Sequence, residues 1–237
     1  MFVANFRIKT AVQRWLMAGW DFLEYPRFHP AHALREEALR ETVCYIKDHM
    51  VDAMGVESAR EVLLAGLRQI EVEGAYLEFG VFRGGTIRFI ADRVRPKLIH
   101  GFDSFEGLPS SWTGDSFNFD ARGRLPRVPK NVQLHRGWFT DTLPKWVEDH
   151  SGPVAFLHVD SDLYESAACV FDHLGDRIVP GTVVVFDEYF NYPQWRQHEF
   201  RAWKEFIDRC KIGYEYLAYA RQQVAVVVTD TPWHARR

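Results

Sequence analysis

Five short apolar runs, each closing on a glycine or an aspartate, constrain this fold more than any other feature of the chain. They are AYLEFG from Ala75, KLIHGFD from Lys97, VQLHRG from Val132, PVAFLHVD from Pro153 and GTVVVFD from Gly181. Their length suits strands, and the first, fourth and fifth are apolar on both alternating sets of positions. A strand reads that way when both faces of its sheet are covered. Helical patterns follow three of them: TIRFIADRV after the first, a segment from about Thr142 to Asp149 after the third, and SAACVFDHLGDRI after the fourth. This alternation predicts a doubly wound α/β fold with a mainly parallel sheet. Two last strands, Tyr214 to Tyr219 and Gln223 to Thr229, have no helix between them and are expected to pair antiparallel.

The 237 residues, 47% hydrophobic, suffice for one domain with a sizeable core. Residues 1–70 read as helical. Ala33 to Met54 carries Leu39, Val43, Ile46 and Met50 at helical spacing, and Ser58 to Glu61 has the capping-box pattern ahead of VLLAGLRQI. This region, with Trp15, Trp20, Phe22 and Tyr25, is expected to cap the pocket or to bring subunits together. Residues 71–237 are the α/β domain. A net charge of -3 leaves no polyanion footprint, so nucleic acid is not an expected partner. Cys44, Cys169 and Cys210 are too sparse for a disulfide framework or a zinc site, which points to the cytoplasm. Arg7, Lys9 and Arg14 interrupt the N-terminal stretch, so neither a signal peptide nor membrane insertion is expected.

Doubly wound sheets bind ligands beyond the carboxyl ends of their strands, and the unusual residues of this chain fall there. Glu78, Gly80, Val81, Phe82, Gly84 and Thr86 make a glycine-rich turn into a helix, whose free N–H groups suit an anionic or carboxylate end. It is neither GxGxxG nor a P-loop, which disfavours a pyrophosphate cofactor and a dehydrogenase. Asp103 closes the second strand about 20 residues after this turn, where an acidic residue holds ribose hydroxyls or else caps its own turn. Asp160, Asp162, Asp187 and Glu188 crowd the fourth and fifth strand ends. Carboxylates so placed need a proton, a cation or a cationic ligand, and oxygen-only ligands favour magnesium or calcium. His198, just beyond this cluster, could accept a proton from a hydroxyl, whereas His158 reads as structural. The long connection 107–130 is expected to be either a functional lid or a disordered loop.

The motifs YLEFGVFRGGT, GFDSFEGLP, GWFTDTLP, FLHVDSDLYES, PGTVVVFDEY and NYPQWRQHEF resemble, in order over about residues 40–228, the macrocin O-methyltransferase family. The resemblance implies a class I S-adenosylmethionine-dependent methyltransferase acting on a sugar hydroxyl. It implies a Rossmann-like seven-stranded sheet with an antiparallel final strand, and an N-terminal helical region that helps the chain dimerise. On it, Glu78 and Gly80 belong to the methionine end of the donor, Asp103 and Ser104 to the ribose, and Trp138 and Phe139 to the adenine. Asp160, Asp187 and Glu188 match magnesium ligands, with Glu188 standing where the family has a second aspartate. Asp162, Tyr164, Glu188 and His198 would face the acceptor. Leu163 stands where catechol-type relatives have a lysine, leaving Asp160 or His198 as the base. Two other readings use the same scaffold: metal-free methylation of a phenol, carboxylate or amine, and a nonenzymatic module that binds S-adenosylmethionine or a glycan.

Overall fold

The computed structural model describes residues 29–109 and 119–233; Trp15, Trp20, Phe22, Tyr25 and the middle of the connection 107–130 lie outside them. In chain order the elements are α1 (Pro30–His49), β1 (Met54–Gly55), α2 (Ala59–Arg68), β2 (Ala75–Phe79), α3 (Gly85–Val94), β3 (Ile99–Asp103), β4 (Val132–Arg136), α4 (Phe139–Asp149), β5 (Val154–Val159), α5 (Tyr164–Leu174), β6 (Ile178–Phe186), α6 (Glu199–Cys210), β7 (Gly213–Tyr219) and β8 (Val224–Asp230). They form one sheet in the order β1-β7-β8-β6-β5-β2-β3-β4. β8 runs antiparallel to both its neighbours, and every other pairing is parallel. β2 and β5 lie side by side, and the chain winds outward from them in opposite directions. Their C-terminal ends therefore open the crevice where such a sheet takes its ligand.

Strand alternation divides the core into two layers. Leu77, Phe79, Leu157, Val159, Val184 and Phe186 face the side covered by α1, α4, α5 and α6. Tyr76, Phe156, Val183 and Val185 face α2 and α3. Both sets are buried because neither face of the central strands meets water, which is why these strands lack a polar parity.

Three elements depart from the expectations. The first helix stops at His49, although Met50 still occupies its buried periodic position as the C-cap. Met54 and Gly55 then leave the helix to pair with Ala218 and Tyr219 of β7, adding an eighth edge strand. Val62 and Leu63 of α2 pack under the sheet with Val183, Val185 and Ala225. α6 fills a stretch to which no element was assigned, and it buries Phe200, Trp203, Phe206 and Ile207 at helical spacing. At Ser58 the cap is half a capping box. Its hydroxyl accepts from the Glu61 amide at 3.4 Å, while the Glu61 carboxylate accepts from the Glu57 amide at 2.8 Å.

A group of histidines fastens β3 and β4 to α4. His100 Nδ1 lies 3.0 Å from His135 Nε2, and the His150 ring stands 5.0 Å from that of His100. Burial, then the neighbouring rings, depress the pKa of His100 from 6.5 to about 4; burial also depresses that of His135. The folded state keeps these rings neutral where the unfolded chain protonates them. Their stabilising contribution is therefore present above about pH 6.5 and is lost as pH falls toward 4. The histidines' own share of that loss is on the order of 2–3 kcal/mol across that window, read as the difference between the wild type and a variant lacking the ring. A His100→Gln variant should show a visibly shallower acid limb; equal slopes in the two proteins would refute the assignment.

Candidate active site

The sequence-predicted residues that meet around one cavity are Gly80, Phe82, Asp103, Ser104, Trp138, Phe139, Asp160 and Asp162. Gly80 is the point on which the two halves close. Its φ is +94°, and a Cβ there would stand 1.7 Å from the Asp160 carbonyl oxygen. Only glycine lets the β2 turn pass so close to the β5 turn, and the Asp160 amide donates to the Phe79 carbonyl at 2.8 Å beside it. Gly84, with φ +73°, caps α3 without a side-chain partner, leaving first-turn amides free. Gly84, Val81 and Thr86 do not line the cavity, and Val81 is core.

Asp103 borders the cavity, but its carboxylate fastens the surrounding loops. Oδ2 accepts from the Val81 and Phe82 amides at 2.8 and 2.6 Å, and Oδ1 accepts from the Phe105 amide at 2.6 Å. The turn-capping alternative thus accounts for three of a carboxylate's roughly four acceptor positions. Ser104 Oγ donates to the Gly107 carbonyl at 3.1 Å. Trp138, 39% exposed, and Phe139 begin α4 and form an aromatic wall, with Phe139 set edge-on against Phe79 at 5.2 Å.

Asp160, Asp187 and Glu188 each bring one carboxylate oxygen within 4.8 Å of the others. The extra methylene of Glu188 does not take it out of this group, and its Oε2 is buried without a protein partner. Burial, then the Asp187 charge, drives Asp160 and Glu188 well above the ordinary carboxylate range. The same two causes raise Asp162 to about 7. A compact all-oxygen set with an unpartnered buried oxygen fits a hard divalent cation. Asp162 is buried, lines the cavity and holds the left-handed conformation at φ +61°. Such strain in a non-glycine residue is a common mark of a functional turn.

Glu78 does not line the cavity. It lies fully buried beneath the crevice, its Oε2 3.3 Å from His158 Nδ1, and His158 Nε2 lies 4.0 Å from Asp187 Oδ1. His158 is fully buried, as its place in the strand predicts, and stands behind the acidic group. The Tyr164 hydroxyl donates to Glu205 at 2.6 Å outside the cavity. His198 is half-buried, does not line the cavity, and has its ring 6.0 Å from that of Tyr192. Burial lowers its pKa, and the Glu165 charge opposes that shift.

Glu199 escaped the sequence reading. It is fully buried; Oε1 accepts from the amides of Ser161 and Asp162 at 2.9 and 3.2 Å, and Oε2 accepts from the Glu188 amide at 3.3 Å. One carboxylate thereby ties together both turns that carry the acidic group. Burial raises its pKa to about 8. Its only sequence signal was an acidic residue opening an amphipathic helix, which ordinarily means a favourable helix-dipole contact. Glu165 and Cys169 of α5 and Leu108, Pro109 and Phe119 of the long loop also wall the cavity.

This geometry agrees with the comparisons. Residues 77–189, which include the strands that border the central crevice, match the family described as a methyltransferase domain. A curated 8-demethyl-8-(2,3-dimethoxy-alpha-L-rhamnosyl)-tetracenomycin-C 4'-O-methyltransferase of Streptomyces olivaceus is 32% identical over 50% of this chain and 54% of its own length. A demethyldecarbamoylnovobiocin O-methyltransferase of Streptomyces niveus is 28% identical over 58% of this chain and 62% of its own. The chain thus matches under two thirds of either relative's length. Among solved structures, the calicheamicin methyltransferase CalS11 aligns with a TM-score of 0.55 at 22% identity, over 70% of this chain and 78% of its own. The O-methyltransferase NovP aligns with 0.51 at 24%, over 72% and 77%. These two share the fold.

Proposed function

We propose that the protein is an S-adenosylmethionine-dependent O-methyltransferase that methylates a hydroxyl of a sugar or of a glycosylated natural product. The observation that carries this is the meeting of two halves across the β2–β5 crevice. One is a cavity walled by Gly80, Asp103, Ser104, Trp138 and Phe139; the other is the partly buried acidic group. The names of the two Streptomyces relatives, one acting on a rhamnosyl hydroxyl, support the same reading.

Asp160, Asp187 and Glu188 would hold a divalent cation such as magnesium, which when bound lowers the pKa of an acceptor hydroxyl as a Lewis acid. The chain's own groups do the rest. Asp162, inside the cavity, takes the hydroxyl proton. The oxygen lone pair forms the C–O bond as the C–S bond breaks, and those electrons pass to sulfur to leave neutral S-adenosylhomocysteine. Carboxylates near the sulfonium favour the charged donor over this product. Phe82, Phe119, Trp138 and Phe139 hold the reactants in line and exclude water. His198, outside this cavity, would contact only the part of a bulky acceptor that extends beyond it. A cytoplasmic homo-oligomer belongs to the same proposal, supported by three free thiols and by exposed Leu34, Leu39 and Val43 on α1. No helix among the described residues is long and apolar enough to cross a membrane.

Methyl transfer from S-adenosylmethionine to a panel of sugar-bearing acceptors should be detected by mass spectrometry. It should fall at least tenfold with a chelator and recover with magnesium. Turnover of phenols or amines, untouched by the chelator, would favour the metal-free alternative. No calorimetric binding of S-adenosylmethionine would overturn the assignment.

A further inference from the structure

Beside the active-site cavity runs a second cleft, and its walls have the opposite charge. Arg83 enters it from the glycine-rich turn, and Arg122, Arg124 and Arg127 from the loop before β4; Asp120 and Phe82 complete it. Phe82 lines both spaces, so the basic cleft continues the cavity past the Phe82–Phe119 pair, whose rings meet edge-on at 5.7 Å. In a chain of net charge -3, four guanidinium groups around one cleft are not a by-product of composition.

The arginines around this cleft differ from Arg136 and Arg88 beside it in how their side chains are held. Arg136 pairs with Glu106 at 3.3 Å, and Arg88 donates to the carbonyls of Arg83 and Arg127 at 3.0 and 3.1 Å. Among the described residues, no carboxylate lies within ion-pair distance of Arg83, Arg122, Arg124 or Arg127. The frame beneath them is fastened. The Arg88 bonds tie the glycine turn to the loop, the Gly123 amide donates to the Phe105 carbonyl at 2.7 Å, and the Arg122 amide donates to Asp120 Oδ1 at 2.6 Å. Arg83 also stacks over the Phe82 ring, 4.9 Å from its centroid.

We propose that this cleft binds the phosphate groups of a phosphorylated acceptor, so that the substrate is a sugar phosphate or a nucleoside diphosphate sugar rather than a neutral glycoside. The inference rests on the methyltransferase reading above and specifies its acceptor. Charge separation makes the argument. Against Asp160, Asp162, Asp187 and Glu188 a phosphate meets like charge wherever a cation leaves the carboxylates unneutralised, whereas the arginines of the basic cleft offer it opposite charge. A sugar bearing phosphate at its anomeric oxygen holds that group across the ring from the hydroxyls opposite it. The reacting hydroxyl can then meet the acidic group while the phosphate reaches past Phe82 into the basic cleft. Guanidinium groups suit phosphate because their planar donors bind two oxygens at once.

The test uses the full chain loaded with S-adenosylhomocysteine, titrated calorimetrically with inorganic pyrophosphate, a sugar 1-phosphate, a nucleoside diphosphate and a neutral methyl glycoside. Binding of the phosphorylated probes, weakening steeply with salt, is expected. An Arg122→Ala/Arg124→Ala variant should lose that affinity about tenfold or more while S-adenosylhomocysteine affinity and melting temperature stay unchanged. The tightest phosphorylated probe identifies the source of the phosphate. Arginine-independent anion binding, or preference for the neutral glycoside, overturns the proposal and leaves the methyltransferase reading intact. Failure to bind S-adenosylhomocysteine would count against that reading instead.

Discussion

An Asp162→Asn enzyme is expected to lose between about a hundredfold and ten-thousandfold in kcat, the usual contribution of a positioned base, while its affinity for S-adenosylmethionine stays within about twofold. The substitution keeps size and removes a charge. Asp162 is 4% exposed, lies on the cavity wall and is pushed to about 7 by burial and by Asp187. Removing a repelled buried carboxylate should leave folding intact or improve it, so the loss is chemical. His198→Asn supplies the contrast. That ring does not line the cavity, so the variant should keep kcat within about tenfold and show its effect in the acceptor KM. The reverse pattern, an active Asp162→Asn enzyme and a dead His198→Asn enzyme, would return the base to the histidine. Steady-state kinetics on both proteins, with melting curves as folding controls, decide it.

Central strands were legible because β2, β5 and β6 are apolar on both faces and each ends in a residue that a buried strand does not otherwise carry. Their ends gave the acidic group, since a parallel sheet brings strand termini together whatever the register of the helices. Roles that depend on rotation about the strand were not legible. Glu78 and Asp160 both lie at strand ends, yet one points into the interior toward His158 and the other toward the crevice. Asp103 shows the same limit: spacing placed it at the cavity, while three backbone amides define its use. Glu199 was hidden because its partners, Ser161, Asp162 and Glu188, are 38, 37 and 11 residues away in sequence. Only the packing of α6 across β5 and β6 brings them within reach. The arginine cleft was equally silent, since its residues come from two separate loops, and exposed arginines ordinarily are solvated surface.

In chelator, the wild-type protein is expected to melt at progressively lower temperature as pH rises from about 6 to 8.5, and millimolar magnesium should abolish most of that fall. Glu199 titrates near 8 and Asp162 near 7 in the folded state, whereas unfolded Asp and Glu titrate near 4. A carboxyl whose folded pKa is raised gives stability that is fully present below its unfolded pKa and is lost as pH rises through the folded value. Here that loss begins above about pH 4 and is complete near pH 8, and the part that falls above pH 6 is on the order of a few kcal/mol for the coupled set, or about 5–10 °C in a chain of this size. A divalent cation bound by Asp160, Asp187 and Glu188 removes the like charge that helps keep these neighbouring carboxyls protonated, so it flattens the slope and binds more tightly at higher pH. Glu199→Gln separates the charge from the tie. With one carboxylate fewer, the chelated variant should show a shallower slope. The amide of that variant has a single acceptor oxygen and holds one turn only, so Asp160 and Glu188 lose their common anchor and magnesium affinity should fall about tenfold. Calorimetric magnesium titration and differential scanning calorimetry read the two effects independently. A melting temperature that rises with pH in chelator, or unchanged magnesium affinity in Glu199→Gln, would show that the acidic turns are held by something other than this carboxylate.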